Sequence, residues 1–146
     1  KTGTTVNTRY SLTQVADGLK VHGGLLESFI VACSDEATAL TTGVKATFRM
    51  PYAFTVTAVR ASLTTAGTGA NLVTVDINEG GATILTTKIT IDATETTSTT
   101  AATPPVIGGA GPALADDAQM TIEIDQIDSG GVSAGLKVTL IGYQTP

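Results

Sequence analysis

Apolar and polar residues alternate with a period of two along much of the chain, which is the pattern of half-buried β-strands. The alternation is clear at 46–50, 73–77, 120–124 and 136–140. Segments rich in Gly, Thr, Ser and Asp separate these stretches and supply turn signals. The pattern predicts an all-β fold of seven to nine strands, arranged as an antiparallel β-sandwich of jelly-roll or Greek-key type.

Two features of residues 46–63 predict how their strands are joined. Pro51 interrupts the alternation and predicts a corner between two strands. Apolar residues then occupy even positions up to Ala58 and odd positions from Val59 onward. One extra residue in a β-bulge produces such a change of phase, so we predict a bulge near Ala58-Val59.

Shorter signals complete the predicted order of elements. Residues 25–32 are predicted as a strand, followed by a turn or a single helical turn over 34–40. A hairpin connection at 79–82 predicts a following strand over 83–91. The Thr-rich residues 95–103 fit either a solvated edge strand or a flexible loop.

The chain divides into two predicted regions. Residues 1–24 are polar with scattered apolar positions, and we predict that they form an N-terminal arm or attachment segment. Residues 25–146 form the predicted β-sandwich domain. The sequence starts at Lys1, which leaves open whether an upstream segment precedes it.

Composition narrows the classes of function. The formal net charge is −5, and the eight Lys and Arg residues are dispersed along the chain. Nucleic-acid binding needs clustered cations for phosphate contacts. The longest apolar runs also fall far short of the roughly 20 residues of a membrane-spanning helix. We therefore expect neither a nucleic-acid partner nor a membrane.

Candidate catalytic groups are few. His22 is the sole histidine, and no Gly-x-Ser-x-Gly motif accompanies it, so it is interpreted as an ordinary surface residue. Four carboxylates fall on predicted strands or at their ends, where alternation alone explains outward acidic side chains. These are Asp76, Glu79, Glu123 and Asp125. They are interpreted as a solvated face, and we expect no catalytic residue and no enzyme activity, with a hydrolase using His22 or an acidic pair as the rival hypothesis.

Metal and cofactor sites have weak sequence support. The segment Asp125–Gly131 places oxygen ligands before a Gly turn, but it lacks the spacing and terminal Glu of an EF-hand. Asp and Ser before Gly also bond the backbone of their own turn, which is the favoured interpretation, although a cation at Asp125–Asp128 stays open. Residues 108–112 lack the Lys and Ser/Thr of a P-loop, and the single Cys33 is interpreted as a small hydrophobe. We expect no metal and no cofactor.

Segments spread from Val44 to Tyr143 carry a family resemblance. The first two read RMPYAFTVTAVRASL at 49–63 and VTVDINEGG at 73–81, and the others follow in order at 84–92, 114–117, 121–125 and 135–142. Together they resemble a β-sandwich domain of tailed-bacteriophage virion surface proteins. Proteins with this domain are head-decoration, fibre or tail-associated components.

The resemblance implies a non-enzymatic structural protein on the virion surface, either a capsid decoration or cement protein or a fibre component. It implies capsid or fibre subunits as partners, and self-association as a homotrimer. The alternative is a tail-fibre module that binds a host receptor or carbohydrate through loops such as 64–71 and 103–112. Aromatic residues make up only 4% of the chain, which disfavours a platform for stacking sugars.

Overall fold

A computed structural model describes residues 26–145 of the chain. Over this range the fold consists of β-strands and one short 3₁₀ helix, Ser98–Thr100. The strands are β1 Leu26–Ala32, β2 Gly43–Arg49, β3 Phe54–Ser62, β4 Val73–Glu79, β5 Ala82–Thr83, β6 Leu85–Thr87, β7 Ile89–Ile91, β8 Val106–Ile107, β9 Ala113–Leu114, β10 Gln119–Gln126 and β11 Lys137–Gln144. The predicted arm, residues 1–24, and His22 within it lie outside the described residues.

Two antiparallel sheets pack against each other. Sheet A has the strand order β1-β11-β3-β9, and sheet B has the order β2-β10-β4-β5, with β7 also paired to β4. Strands β6 and β8 form a separate two-stranded ribbon. The predicted all-β, antiparallel sandwich is therefore confirmed. Over residues 26–145, no helix is long and apolar enough to cross a membrane.

The core lies between the inner faces of the two sheets. On β10, Met120, Ile122 and Ile124 are fully buried, as their alternation predicts. On β11, Val138 and Leu140 are fully buried in the same way. Each large apolar side chain removed from water contributes roughly 1.5–3 kcal/mol. The two central strands therefore supply much of the stabilising surface.

The corner at Pro51 carries the chain from one sheet to the other. Strand β2 ends at Arg49 in sheet B, and β3 begins at Phe54 in sheet A. Tyr52 at this corner packs near Phe29 of β1, with 5.9 Å between the ring centroids. The predicted strand, corner and strand are confirmed.

The predicted bulge in β3 is also confirmed, one residue earlier than expected. Ala58 pairs with Ile141, and Val56 pairs with the next residue, Gly142, so Thr57 is the extra residue. The bulge lets both Val56 and Val59 point into the core although they lie an odd number of residues apart.

One predicted element is wrong. Residues 83–91 do not form one strand, because Ile84 and Leu85 are both buried and a single strand cannot turn neighbouring side chains to one face. The chain breaks there into β5, β6 and β7. Of the two alternatives predicted for residues 34–40, the structure has the turn and not the helical turn, and one Asp35 oxygen accepts hydrogen bonds from the N–H groups of Ala37 and Thr38.

Candidate interaction surface

The predicted acidic face of sheet B is only partly solvated. Asp76 on β4 is 5% exposed, so its interpretation as a solvated residue is wrong. Its Oδ1 accepts hydrogen bonds from the Ile77 N–H and the Thr83 hydroxyl. The Lys88 ammonium lies 3.0 Å from Asp76 Oδ2 and 2.6 Å from Asp125 Oδ2. The segment 83–88 thus covers Asp76 and supplies the cation that neutralises it.

The segment Asp125–Gly131, for which the sequence left a cation site open, is organised around one buried carboxylate. Asp128 is 2% exposed and accepts hydrogen bonds from the N–H groups of Thr68, Val132 and Ser133 and from the Ser133 hydroxyl. These four donors join the loop at 64–71 to the turn at 128–133. Asp128 therefore bonds the backbone of its own turn, as the favoured interpretation predicts. Among residues 26–145, no group of three His, Cys, Asp or Glu is placed to hold a metal ion.

The same contacts set the acidity of Asp128. Burial opposes ionisation, but the hydrogen bonds from Ser133, Thr68 and Val132 outweigh it and lower the pKa of Asp128 to about 2. In the unfolded chain the pKa of an Asp is roughly 3.9. The folded state therefore holds the ionised carboxylate more strongly than the unfolded state does.

We expect the stabilisation from Asp128 to be complete above about pH 4 and to be lost as the pH falls through about 2. Urea unfolding of the native chain and of Asp128→Asn at pH 7, 4, 3 and 2 measures it. The difference in unfolding free energy between the two proteins should shrink toward acid pH. A difference that stays constant from pH 7 to pH 2 contradicts the assignment.

Cys33 follows β1 and is 5% exposed. Burial raises the pKa of its thiol to about 11, against a smaller opposing effect of a backbone hydrogen bond involving Val138. Since the thiolate is the reactive form, we expect native Cys33 to react with a disulfide reagent at pH 8 roughly a hundredfold more slowly than a free thiol. Unfolding in urea should restore the ordinary rate, whereas fast labelling of the native chain contradicts the buried placement.

The exposed apolar residues of β1 lie on the outer face of sheet A. Leu26 is 67% exposed and Ile30 is 70% exposed, while Phe29 and Val31, on the other face of the strand, pack on the core. An open recess of about 310 Å³ lies on this face. It is lined by Leu26, Glu27, Ser28, Arg60, Thr139 and Ile141. Within residues 26–145, Arg60 has no carboxylate within 4.0 Å.

Strands β1 and β2 lie on the same side of the sandwich. On the opposite side β3 contacts β7, which belongs to sheet B through β4. The far ends of the two strand orders, β1 in sheet A and β2 in sheet B, are therefore both on the side away from that contact. Val44 on β2 adds a third exposed apolar side chain, at 54%. We call this side, with both strands and the recess beside β1, the β1/β2 side.

Among residues 26–145, each of the two strands on the β1/β2 side has one edge without a partner strand. Over the described residues β1 pairs only with β11, and β2 pairs only with β10. The Cys33 N–H donates to Leu136 O in the β1–β11 register, so the odd residues of β1 face β11. The N–H and C=O of Ser28 and Ile30 therefore point to the free edge.

The sequence did not single out this side. Residues 25–31 are apolar at both odd and even positions, so alternation could not tell which side chains face solvent. The pairing of β1 with β11, more than a hundred residues later, decides it. The sequence contained one weak signal, the single acidic residue Glu27 within the apolar run. The Glu27 side chain turns inward and accepts a hydrogen bond from the Tyr52 hydroxyl.

Comparison of the chain with protein-family descriptions, with curated proteins and with solved structures finds no match. The resemblance to phage virion surface proteins therefore stays a prediction.

Proposed function

We propose that this chain is a non-enzymatic structural protein displayed on the surface of a phage particle, as a capsid decoration or cement protein or as a fibre component. Its proposed partners are other virion proteins and further copies of itself, assembled as a homotrimer. The proposal combines the sequence resemblance with the geometry of the sandwich.

The observation that carries the proposal is the β1/β2 side. Over residues 26–145 two strand edges carry no partner strand beside exposed Leu26, Ile30 and Val44, and a surface of this kind is suited to binding another protein chain. Repeated copies on a particle lattice supply avidity, so each contact needs only modest affinity.

Several polar side chains bond other segments of the fold, which supports a structural role. Asp128 organises two loops, Asp76 and Asp125 share Lys88, and Glu36 pairs with Lys137 at 2.5 Å. These side chains link segments of the fold to one another. Three of the aromatic rings are likewise placed for packing, since Phe29 and Phe54 meet edge to face at 5.0 Å beside Tyr52.

Quantitative mass spectrometry of purified particles tests the proposal. We expect this chain to co-purify with the major virion proteins at a fixed copy number through successive density gradients. A cytoplasmic replication protein of the same phage is the control and should fall away with each gradient. Loss of this chain in parallel with that control would contradict the proposal.

A further inference from the structure

The open edges of β1 and β2 are complementary in direction. Strand β2 ends at Arg49 and β3 starts at Phe54, with four residues between them, so β3 runs back along the sandwich. Both β1 and β3 are antiparallel to β11, so β1 runs in the same direction as β3 and opposite to β2. When a second copy is related by a rotation about an axis parallel to the strands, β1 of one copy lies antiparallel to β2 of the other.

The two edges also match in the residues that direct their backbone N–H and C=O groups outward. The Met50 N–H donates to Ala118 O in the β2–β10 register, so the odd residues around Thr47 face away from β10. Thr47 therefore presents its N–H and C=O to the free edge and its side chain to the outer face. Ile30 does the same on β1. Pairing these residues across the two copies leaves both inner faces turned to the core.

Charge favours this pairing over a contact between two β1 strands. Residues 26–36 contain three acidic side chains and no Lys or Arg, whereas β2 contains two cations and no acid. Antiparallel alignment brings the Lys45 end of β2 toward the exposed Asp35 that follows β1. Within residues 26–145 the Asp35 carboxylate has no cation within 4.0 Å. A contact between two copies of β1 would supply no cation, because residues 26–36 contain no Lys or Arg.

Apart from the inward-pointing Glu27, the sequence of strand β1 lacks the devices that usually protect an edge. The strand pairs with β11 over seven residues without a bulge, it contains no Lys or Pro, and its outer face carries Leu26 and Ile30. An edge of this kind is a template for strand pairing unless another chain covers it.

We infer that the partner of the β1/β2 side is a second copy of this chain, with β1 of one copy pairing antiparallel to β2 of the next. This inference rests on the proposed function and names one partner of the same surface. Because both edges lie on one side, successive copies turn toward each other and the assembly closes, either as a pair or as the proposed trimer.

The mass of the purified full-length chain in solution tests the inference, by light scattering after size exclusion. We expect a closed assembly of two or three chains rather than the 14.7 kDa monomer. Ile30→Lys on β1 and Thr47→Pro on β2 should each reduce it to the monomer, because each blocks one of the two paired edges. Lys45→Glu, a charge reversal at a half-buried side chain that leaves the backbone intact, should weaken assembly at least tenfold.

Val132→Lys is the matched control, since Val132 is 44% exposed and lies outside both strands. It should assemble as the native chain does. An assembly that survives both Lys45→Glu and Thr47→Pro but is lost with Ile30→Lys would overturn the pairing in favour of β1 with β1. A native monomer would also overturn it, and protection of the Ile30 amide from exchange in that monomer would assign the edge to residues 1–25 of the same chain.

The outcome is separable from that of the proposed function. A monomer in solution that nevertheless co-purifies with particles rejects the inference and leaves the proposed function standing. A closed assembly of a chain that is absent from purified particles supports the inference and rejects the proposed function.

Discussion

Replacing Asp128 by Ala is expected to lower the free energy of unfolding by ~3–5 kcal/mol. The side chain is 2% exposed, and its removal leaves the N–H groups of Thr68, Val132 and Ser133 without their acceptor. Buried donors that lose a charged acceptor cost more than exposed ones, because water cannot reach them in the folded state. Equilibrium urea unfolding at pH 7 measures the loss.

Asp92→Ala is the matched control. The carboxylate of Asp92 accepts a hydrogen bond from the Ala102 N–H at 3.0 Å, in a more exposed setting. We expect it to cost about 1 kcal/mol. Equal losses for the two variants would contradict the view that Asp128 holds the two loops together.

The second large effect is expected at Gly142, where β11 faces the bulge of β3. A Cβ at this position would lie 2.0 Å from the carbonyl oxygen of Thr55 and 2.8 Å from the ring of Phe54. Both neighbours are held, the first by the strand backbone and the second by the core, so Gly142→Ala must displace one of them. We expect a loss of about 3 kcal/mol, measured by thermal and urea unfolding.

Gly80→Ala is the control that separates the effect of steric overlap at Gly142 from the effect of backbone strain. Gly80 has a positive φ of 56° but no neighbour within 4 Å of a Cβ. Its replacement should therefore cost only the strain of a left-handed residue, about 1 kcal/mol. A Gly142→Ala protein as stable as the Gly80→Ala protein would contradict the register of β3 and β11.

Local patterning predicted the parts of the fold in which one face is buried and the other is solvated. The alternation at 120–124 identified β10, and the change of phase after Ala58 located the bulge to within one residue. In these segments the side chains that enter the core are decided by the pleat of a single strand, so neighbouring sequence contains the necessary information.

Features that depend on distant residues were not predicted. Asp76 lies at an outward position of β4, but the segment 83–88 folds over it and supplies Thr83 and Lys88 as partners. The donors to Asp128 include Thr68, sixty residues earlier in the chain. Alternation describes the direction of a side chain and contains no information about which segment covers it.

The candidate surface was beyond prediction for a related reason. Residues 25–31 are apolar on both faces of their strand, so the sequence predicted a strand without deciding whether Ile30 is buried. The exposure of its side chain follows from the pairing of β1 with β11, and its backbone groups lack a partner strand among residues 26–145 because β1 ends sheet A. Edge positions depend on the strand order of the whole sheet, which no single segment encodes.

Cryo-electron microscopy of the intact particle tests the proposed structural role most directly. We expect density for this sandwich at regular positions on the outer surface, with the β1/β2 side in contact with neighbouring protein. A high copy number on the head lattice would identify a decoration or cement protein, and a few copies along a fibre would identify a fibre component. A well-resolved particle whose surface proteins are all accounted for without this chain would contradict the proposal.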